Sequence, residues 1–212
     1  FAEKIGDCVF IQGTVNRSRL VPADIPYNKV KDWHCEPCQI KQKRLVFYLP
    51  SKFLIIIDDI KSMKNRNYTQ WFNLSPGVSA VLGNEEIVVR DLNEVRCVIR
   101  SLQKGPINAS LVNGQVEPRL QGWFSPNGNI LEKIDSIGIE GTGKHSIIGT
   151  MFDLEFEKTP KIALNVGSGG NYLKAVVDRS GKRYEMVIRQ KSSQVSLEFI
   201  EDGEITESLI EE

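Results

Sequence analysis

The chain has 212 residues, of which 41% are hydrophobic and 25% are charged, a composition typical of a globular domain with one substantial core. Lysine plus arginine and aspartate plus glutamate both total 27, so no overall field attracts nucleic acid or an acidic membrane. No apolar run approaches the ~20 residues of a membrane-spanning helix. We therefore expect a single domain over residues 1–212, without nucleic acid as a partner and without a membrane span.

Short β-branched and aromatic runs dominate the pattern along the chain. Strict alternation of apolar and polar residues predicts strands at residues 152–156 and 195–199. Further strands are predicted at residues 45–49, 53–57, 87–89, 95–99, 162–166, 173–177 and 184–188. Residues 179–182 predict a hairpin turn, and residues 202–212 predict a final edge strand or a frayed tail. Because helical spacing is nearly absent, we predict an all-β fold, an antiparallel β-sandwich of many short strands with little or no helix.

Three stretches with few apolar residues, at 21–37, 61–67 and 125–143, are predicted to be loops. The last overlaps the motif Gly138-Ile-Glu-Gly-Thr-Gly-Lys-His145, which has the glycine and lysine spacing of a phosphate-binding loop. His145 replaces the hydroxyl residue that would hold magnesium, and an all-β chain offers no following helix. We therefore predict a flexible glycine-rich loop rather than a nucleotide site.

The motif His34-Cys35-Glu-Pro-Cys38 brings two thiols and an imidazole close together in sequence. Thiolates and imidazole are zinc ligands, but a closed structural site needs four of them and the chain has no second Cys-x-x-Cys. Three alternatives stay open: a zinc site at His34, Cys35 and Cys38 in an interaction domain, a disulfide or redox pair of the two cysteines, or incidental cysteines in a loop. We predict no cofactor, with zinc as the metal that this motif would take.

Asp58 and Asp59 directly follow the apolar run at residues 53–57. Carboxylates at a strand end could bind a cation or act as acid or base. Alternatively, they leave the core for solvent and cap the next turn. We favour the second interpretation because no histidine stands beside them in the sequence.

Several segments occur in a recognisable order. They are Lys43-Arg44-Leu-Val-Phe-Tyr-Leu-Pro50, the run at residues 53–60, Tyr68-Thr-Gln-Trp71-Phe-Asn-Leu-Ser-Pro76, Gly122-Trp123-Phe-Ser125, and residues 147–152. In order and spacing, these segments resemble the C-terminal β-sandwich of heparinase II/III-like polysaccharide lyases. The resemblance covers residues 40–156. It implies a bacterial parent protein outside the cytoplasm, with an N-terminal α/α toroid, that cleaves uronate-containing glycans such as glycosaminoglycans by β-elimination.

The chain begins at Phe1 without an initiator methionine, which is typical of a fragment of a longer protein. In the resembled family the catalytic groups come largely from the toroid. Gln42 and Asn73 stand where family members often have histidine, and amides do not act as general bases at neutral pH. We therefore expect a domain that supports catalysis in the parent lyase and is inactive alone.

The resemblance and the residue chemistry together predict a binding surface for anionic polysaccharide at Lys43, Arg44 and Trp71. Arginine pairs with carboxylate or sulfate through two hydrogen bonds, and an aromatic ring stacks on a sugar. Alternatively, Arg44 pairs with Asp58 or Asp59 on a neighbouring strand. The rival function is a stand-alone carbohydrate-binding or adhesion sandwich without enzymatic activity.

Overall fold

The computed structural model describes residues 1–20, 29, 31, 36–128, 130–156, 159–167, 171–191 and 194–211, with the backbone alone at residues 20, 36, 37 and 209–211. Within these ranges the predicted all-β fold is confirmed. The strands are β1 (Ala2–Ile5), β2 (Cys8–Leu20), β3 (Glu36–Leu49), β4 (Phe53–Asn73), β5 (Val78–Leu82), β6 (Glu86–Asp91), β7 (Glu94–Ser101), β8 (Ala109–Asn113), β9 (Trp123–Phe124), β10 (Glu132–Lys133), β11 (Asp135–Asp153), β12 (Lys161–Val166), β13 (Tyr172–Arg179), β14 (Lys182–Lys191), β15 (Gln194–Glu201) and β16 (Glu204–Glu211).

The strands form two main antiparallel sheets. The large sheet has the order β1-β2-β3-β4-β11-β7-β6-β5, and β8 pairs with β11 beside this path. The smaller sheet is a five-stranded meander from β12 to β16. Strands β9 and β10 form a separate two-stranded ribbon. Short turns join the strands of the hairpins β5-β6, β6-β7, β13-β14 and β15-β16, which is the connection that antiparallel neighbours allow.

Strands β4 and β11 span 21 and 19 residues and organise the large sheet. Residues 53–61 and 66–73 of β4 both pair with β11, but residues 62–65 between them stand opposite Lys144 alone. Extra residues on one strand bend the sheet and increase its twist. Both strands therefore change direction at the same point.

Beyond this bend the two strands turn back over the sheet. A straight strand would separate Asp58 from Gln70 by roughly 40 Å, whereas Gln70 Nε2 donates to Asp58 Oδ2 at 2.8 Å. The returning part consists of residues 66–73 of β4, residues 135–143 of β11 and strand β8. We call it the folded-back layer. It packs on one face of the sheet that it continues, so the molecule has three layers of strands.

Two hydrophobic cores lie on opposite faces of the large sheet. The first core lies against the five-stranded sheet and includes Ile55, Ile57, Met151, Met186 and Leu197. The second core lies under the folded-back layer and includes Ile60, Ile87, Ile99, Ile137, Ile139 and Ile148. Since successive strand residues point to opposite faces, β4 and β11 supply both cores.

Most of the predicted strands are confirmed. These are the runs at residues 45–49, 53–57, 87–89, 95–99, 162–166, 173–177, 184–188 and 195–199, together with the hairpin at residues 179–182 and an edge strand near the end of the chain. The prediction for residues 152–156 is wrong beyond Asp153, where β11 ends. There the Asp153 carboxylate accepts a hydrogen bond from the backbone N–H of Glu155 at 3.2 Å, which closes a turn.

The loop predicted at residues 61–67 is wrong, and the loop predicted at residues 125–143 is wrong from residue 132 onward, where β10 and then β11 begin. Residues 61–67 belong to β4 and residues 135–143 to β11. Asn67 and Arg66 pair with Thr142 and Gly143, and Lys61 pairs with His145 beyond the bend. Most of their side chains are polar or absent, and Ile139 is the member of residues 138–143 that enters the second core, so no apolar alternation marks these segments. The motif that ends at His145 is therefore extended strand and not a glycine-rich loop. Most of the loop predicted at residues 21–37 lies outside the described residues, namely residues 21–28, 30 and 32–35.

Candidate functional site

A polar extension of the large sheet lies beyond the first core. Cross-strand pairing aligns Lys43 with Asp59 and, one row further out, Lys41 with Lys61 and Lys61 with His145. These side chains share the face of the core residues in the preceding rows, because residues two apart on a strand point the same way. The five-stranded sheet meets the first row where Lys43 Nζ donates to Gln190 Oε1 at 3.0 Å. We call Lys41, Lys43, Asp59, Lys61 and His145 the basic shelf.

Asp59 organises the charges of the shelf. One ring nitrogen of His145, Nε2, lies 2.6 Å from Asp59 Oδ1, and Lys61 Nζ lies 3.9 Å from Asp59 Oδ2. The Asp59 side chain is 13% exposed, whereas that of His145 is 43% exposed. The carboxylate thus orients its partners while they stay accessible to a ligand. Lysines outnumber carboxylates among these five residues by three to one, which favours an anionic ligand.

A groove of about 490 Å³ crosses β2, β3 and β4 and shares Lys41 and Lys61 with the shelf. Its cationic side chains are Arg17, Lys41 and Lys61, and the described residues that line it include no carboxylate. The remaining lining residues are Asn16, Ser18, Cys38, Gln39, Ile40, Ser62 and Met63. Cations, hydroxyls and amides around an open groove are the groups that bind sulfate or carboxylate on a flexible chain.

Arg44 lies on the opposite face of the sheet from the shelf. Its Nε and Nη2 atoms donate to Asp58 Oδ1 and Oδ2, both at 2.7 Å. Asp58 also accepts from Gln42 at 3.1 Å and from Gln70, and the Gln70 Oε1 atom accepts from Thr150 Oγ1 at 2.6 Å. The bidentate hydrogen bond with Asp58 raises the pKa of Arg44. This polar network joins the sheet to the folded-back layer, and the pairing that we predicted as the alternative for Arg44 is present.

The structure separates the three residues that the sequence grouped as one surface. Lys43 belongs to the basic shelf, and Arg44 belongs to the network around Asp58 on the other face. Trp71 lies on the outer face of the folded-back layer, because its neighbours Gln70 and Phe72 point inward to the network and the second core. Adjacent strand residues face opposite ways, so Lys43 and Arg44 do not share one face.

The favoured interpretation of Asp58 and Asp59 is wrong. The strand continues through both residues to Asn73, so neither caps a turn. The side chain of Asp58 is 1% exposed and pairs with Arg44, and Asp59 contacts His145. A histidine does stand beside the second carboxylate, supplied by β11 through cross-strand pairing.

The described cysteines are buried thiols. Cys38 Sγ donates to the backbone carbonyl of Arg17 at 3.3 Å. Burial raises the pKa of Cys8 to about 12 and that of Cys97 to about 11, which disfavours the thiolate that binds metal. In the part of the chain that the structure describes, no three histidine, cysteine or acidic side chains gather at one point. Cys38 is a free thiol and not half of a disulfide. His34 and Cys35 lie outside the described residues, so the zinc and reduced redox-pair alternatives stay predictions.

Sequence reasoning missed Arg17, Lys41, Lys61 and His145. One usable signal was the two-residue spacing of Lys41 with Lys43 and of Asp59 with Lys61, which places each pair on one face of a strand. No local signal pointed to His145, because its contact with Asp59 joins residues 86 positions apart.

An exposed apolar surface lies on the face of the large sheet that carries Arg44. Ile11, Val15 and Tyr48 are exposed there, and cross-strand pairing places Ile11 beside Val46 and Val46 beside Ile56. We call these five residues the outer apolar face. Contiguous exposed apolar groups on a sheet are typical of a surface that packs against another domain or protein.

Among the described residues, no helix has the length and apolar character needed to cross a membrane. No protein-family model matches the chain, and no curated protein matches its sequence. Solved structures do match its fold. The crystal structure of heparinase III has a TM-score of 0.51 and 12% sequence identity, over 100% of this chain and 27% of that chain.

Two further crystal structures, of heparan sulfate lyase HepC from Pedobacter heparinus and of a HepC mutant, have TM-scores of 0.49 and 0.47. Each is 11% identical, over 93% of this chain and 28% of that chain. The chain thus spans 27% to 28% of the length of these matched structures. Its fold is heparinase-like.

Proposed function

We propose that the chain is a β-sandwich domain of a heparinase-like polysaccharide lyase, and that it binds anionic polysaccharide on the basic shelf and the adjoining groove. The observation that carries this proposal is the set of cations on two adjoining surfaces. Lys41 and Lys61 belong to both the shelf and the groove, so a chain of sulfated or uronate sugars can contact them continuously. Repeated anionic groups on a polysaccharide match repeated cations on a sheet.

The chain supports the lyase reaction and does not perform it alone. Elimination from a uronate needs a base at the α-carbon, a group that neutralises the carboxylate and an acid for the leaving oxygen. The lysines of the shelf supply neutralising charge. The His145–Asp59 pair supplies a positioned imidazole, which can hold the ligand by a hydrogen bond. The remaining groups come from a toroid domain of the parent protein.

The outer apolar face is the docking surface for that further domain. It lies on the opposite side of β2, β3 and β4 from the shelf, so docking there leaves the shelf open. The heparinase-like fold supports this assignment, because the matched heparinase III chain is much longer than the part that this chain covers. Packing of β-branched and aromatic side chains against another domain would remove Ile11, Val15 and Tyr48 from water.

Heparin binding by calorimetry tests the anionic site. Lys41→Gln with Lys61→Gln should weaken binding by roughly fivefold per lysine, the equivalent of ~1 kcal/mol each near an anionic surface. Lys4→Gln is the matched control, because Lys4 is an exposed lysine of β1 outside the shelf and the groove. Affinity of the unmodified chain should fall steeply with salt. Equal heparin affinity in the double variant and the control would contradict the proposal.

The lyase assignment has its own test. The ultraviolet absorbance of unsaturated uronate products is followed for this chain and for a longer polypeptide that carries it with its preceding domain. We expect product from the longer polypeptide and none from the chain alone. Binding without product in both would favour a stand-alone carbohydrate-binding sandwich.

A further inference from the structure

The outer face of the folded-back layer presents a different chemistry from the basic shelf. Cross-strand pairing places Thr69 beside Glu140, Trp71 beside Gly138, and Gly138 beside Ser110. The same alternation adds Asn67, Asn73 and Thr142 to this face. We call Asn67, Thr69, Trp71, Asn73, Ser110, Glu140 and Thr142 the Trp71 face.

Trp71 is seated on this face by a glycine. A Cβ atom at Gly138 would come within 2.9 Å of Trp71 Cζ3 and within 2.8 Å of Thr69 Cγ2. The bare backbone of Gly138 therefore lets the indole lie against β11. Trp71 is nevertheless 38% exposed, and the second core is filled from the other side of the strand by neighbours such as Phe72. The indole is thus held in place by β11 but is not part of the second core, so one side of it stays exposed.

The groups around Trp71 are hydroxyls and amides. Asn73 Oδ1 accepts a hydrogen bond from Gln121 Nε2 at 3.0 Å, which fixes the orientation of the amide beside the indole. Thr69 is exposed and Ser110 is partly exposed. Among the described residues that pairing places on this face, Glu140 alone is charged. The face therefore has no described cation to pair with sulfate or carboxylate, and its carboxylate repels them.

We propose that the Trp71 face is a second glycan-binding site, and that its ligand is an uncharged polysaccharide. A pyranose ring packs its C–H face on the indole, as flat apolar surfaces do on aromatic rings. Its hydroxyls exchange hydrogen bonds with the hydroxyls of Thr69 and Ser110 and accept one from the Asn73 amide N–H, since the Asn73 Oδ1 atom already accepts from Gln121 and Ser136. From residue 67 to residue 73 the face is ~20 Å long, enough for a short oligosaccharide to lie across the strands.

The absence of described cations makes this site selective against the ligand of the basic shelf. An anionic chain on the Trp71 face would lose water from its charged groups without gaining a partner, which weakens binding. An uncharged chain on the shelf would leave the lysines without their anions. The two sites therefore select different glycans, and the Trp71 site does not depend on the proposed lyase function.

Titration calorimetry with neutral hexasaccharides of glucose, xylose and mannose tests the proposal, with heparin as the anionic reference. Trp71→Ala should weaken binding of the preferred neutral sugar by about tenfold or more while heparin affinity is unchanged. Lys61→Gln should have the reverse pattern. Trp71→Phe should restore part of the neutral-sugar affinity because it keeps an aromatic ring.

Far-ultraviolet circular dichroism of Trp71→Ala should match the unmodified chain, since Trp71 lies outside both cores, and urea unfolding shows that the variant is folded under the conditions of the binding assay. A Trp71→Ala variant that is folded and binds neutral sugars with full affinity would overturn the proposal. So would the failure of the unmodified chain to bind any of the three neutral sugars. Loss of heparin binding in Lys61→Gln, with neutral-sugar binding retained, would support the two sites as separate.

Discussion

The network around Asp58 should hold the folded-back layer onto the sheet, and Asp58→Ala tests this. The substitution removes the acceptor of Gln70, which is 1% exposed, and an unsatisfied buried amide costs ~1–3 kcal/mol. Breaking a fully buried ion pair costs ~3–5 kcal/mol. The Arg44 side chain is 42% exposed, so water can solvate its guanidinium in the variant, which reduces the loss of stability. We therefore expect the free energy of unfolding to fall by about 3 kcal/mol.

Urea unfolding followed by tryptophan fluorescence measures this change as a shift in midpoint. Asp91→Ala is the matched control, because Asp91 forms an exposed ion pair with Arg96 at 3.1 Å on neighbouring strands. The control should lose about 0.5 kcal/mol or less. If the free energy of unfolding of Asp58→Ala fell by less than about 1 kcal/mol, the network would not hold the folded-back layer on the sheet. Packing of the second core would then hold it there.

Two further predictions concern pH and the bend of the large sheet. Burial opposes ionisation of Glu185, but hydrogen bonds from Lys174 and a neighbouring arginine outweigh it and lower its pKa below the ordinary value of 4.5. The stability that the ionised Glu185 contributes is complete above pH 4.5 and is lost as the pH falls through the lowered pKa. The thermal midpoint of Glu185→Gln should therefore decrease less than that of the unmodified chain when the pH is lowered below 4.5. Gly141→Ala should destabilise the fold by ~1–3 kcal/mol because its Cβ would collide with Ser146, whereas Gly13→Ala meets open space and should be neutral in the same urea assay. Equal unfolding midpoints for the two glycine variants would contradict the close contact of Gly141 with Ser146 at the bend.

Strands were predictable from the sequence where one face lies in a core. Residues 195–199 alternate strictly and form the middle of β15, with Val195, Leu197 and Phe199 buried. The bend of β4 and β11 was not predictable, because residues 61–67 lie outside the cores and carry polar side chains. On either side of the bend the strand pairs with β11, through Lys61 with His145 and Arg66 with Gly143, about 80 residues away in sequence. Pairing between such distant segments leaves no periodic trace in either one.

The candidate site was predictable only in part, for the same reason. Lys43 was found through the resemblance and through its charge. Its partners in the shelf come from two other strands, and the contact of Asp59 with His145 depends on the register of β4 against β11. A shift of that register by one residue would turn His145 to the other face. The glycine-rich segment before His145 suggested a loop. In the structure its glycines let the two sides of the bend in β11 lie close together, with Gly141 against Ser146.

Neighbouring residues in this chain serve different surfaces because the strand alternates. Lys43 belongs to the basic shelf and Arg44 to the Asp58 network, while Gln70 joins that network and Trp71 turns outward. The network is therefore the physical link between the two proposed glycan sites, since it fixes the layer that carries Trp71 relative to the strands that carry the shelf.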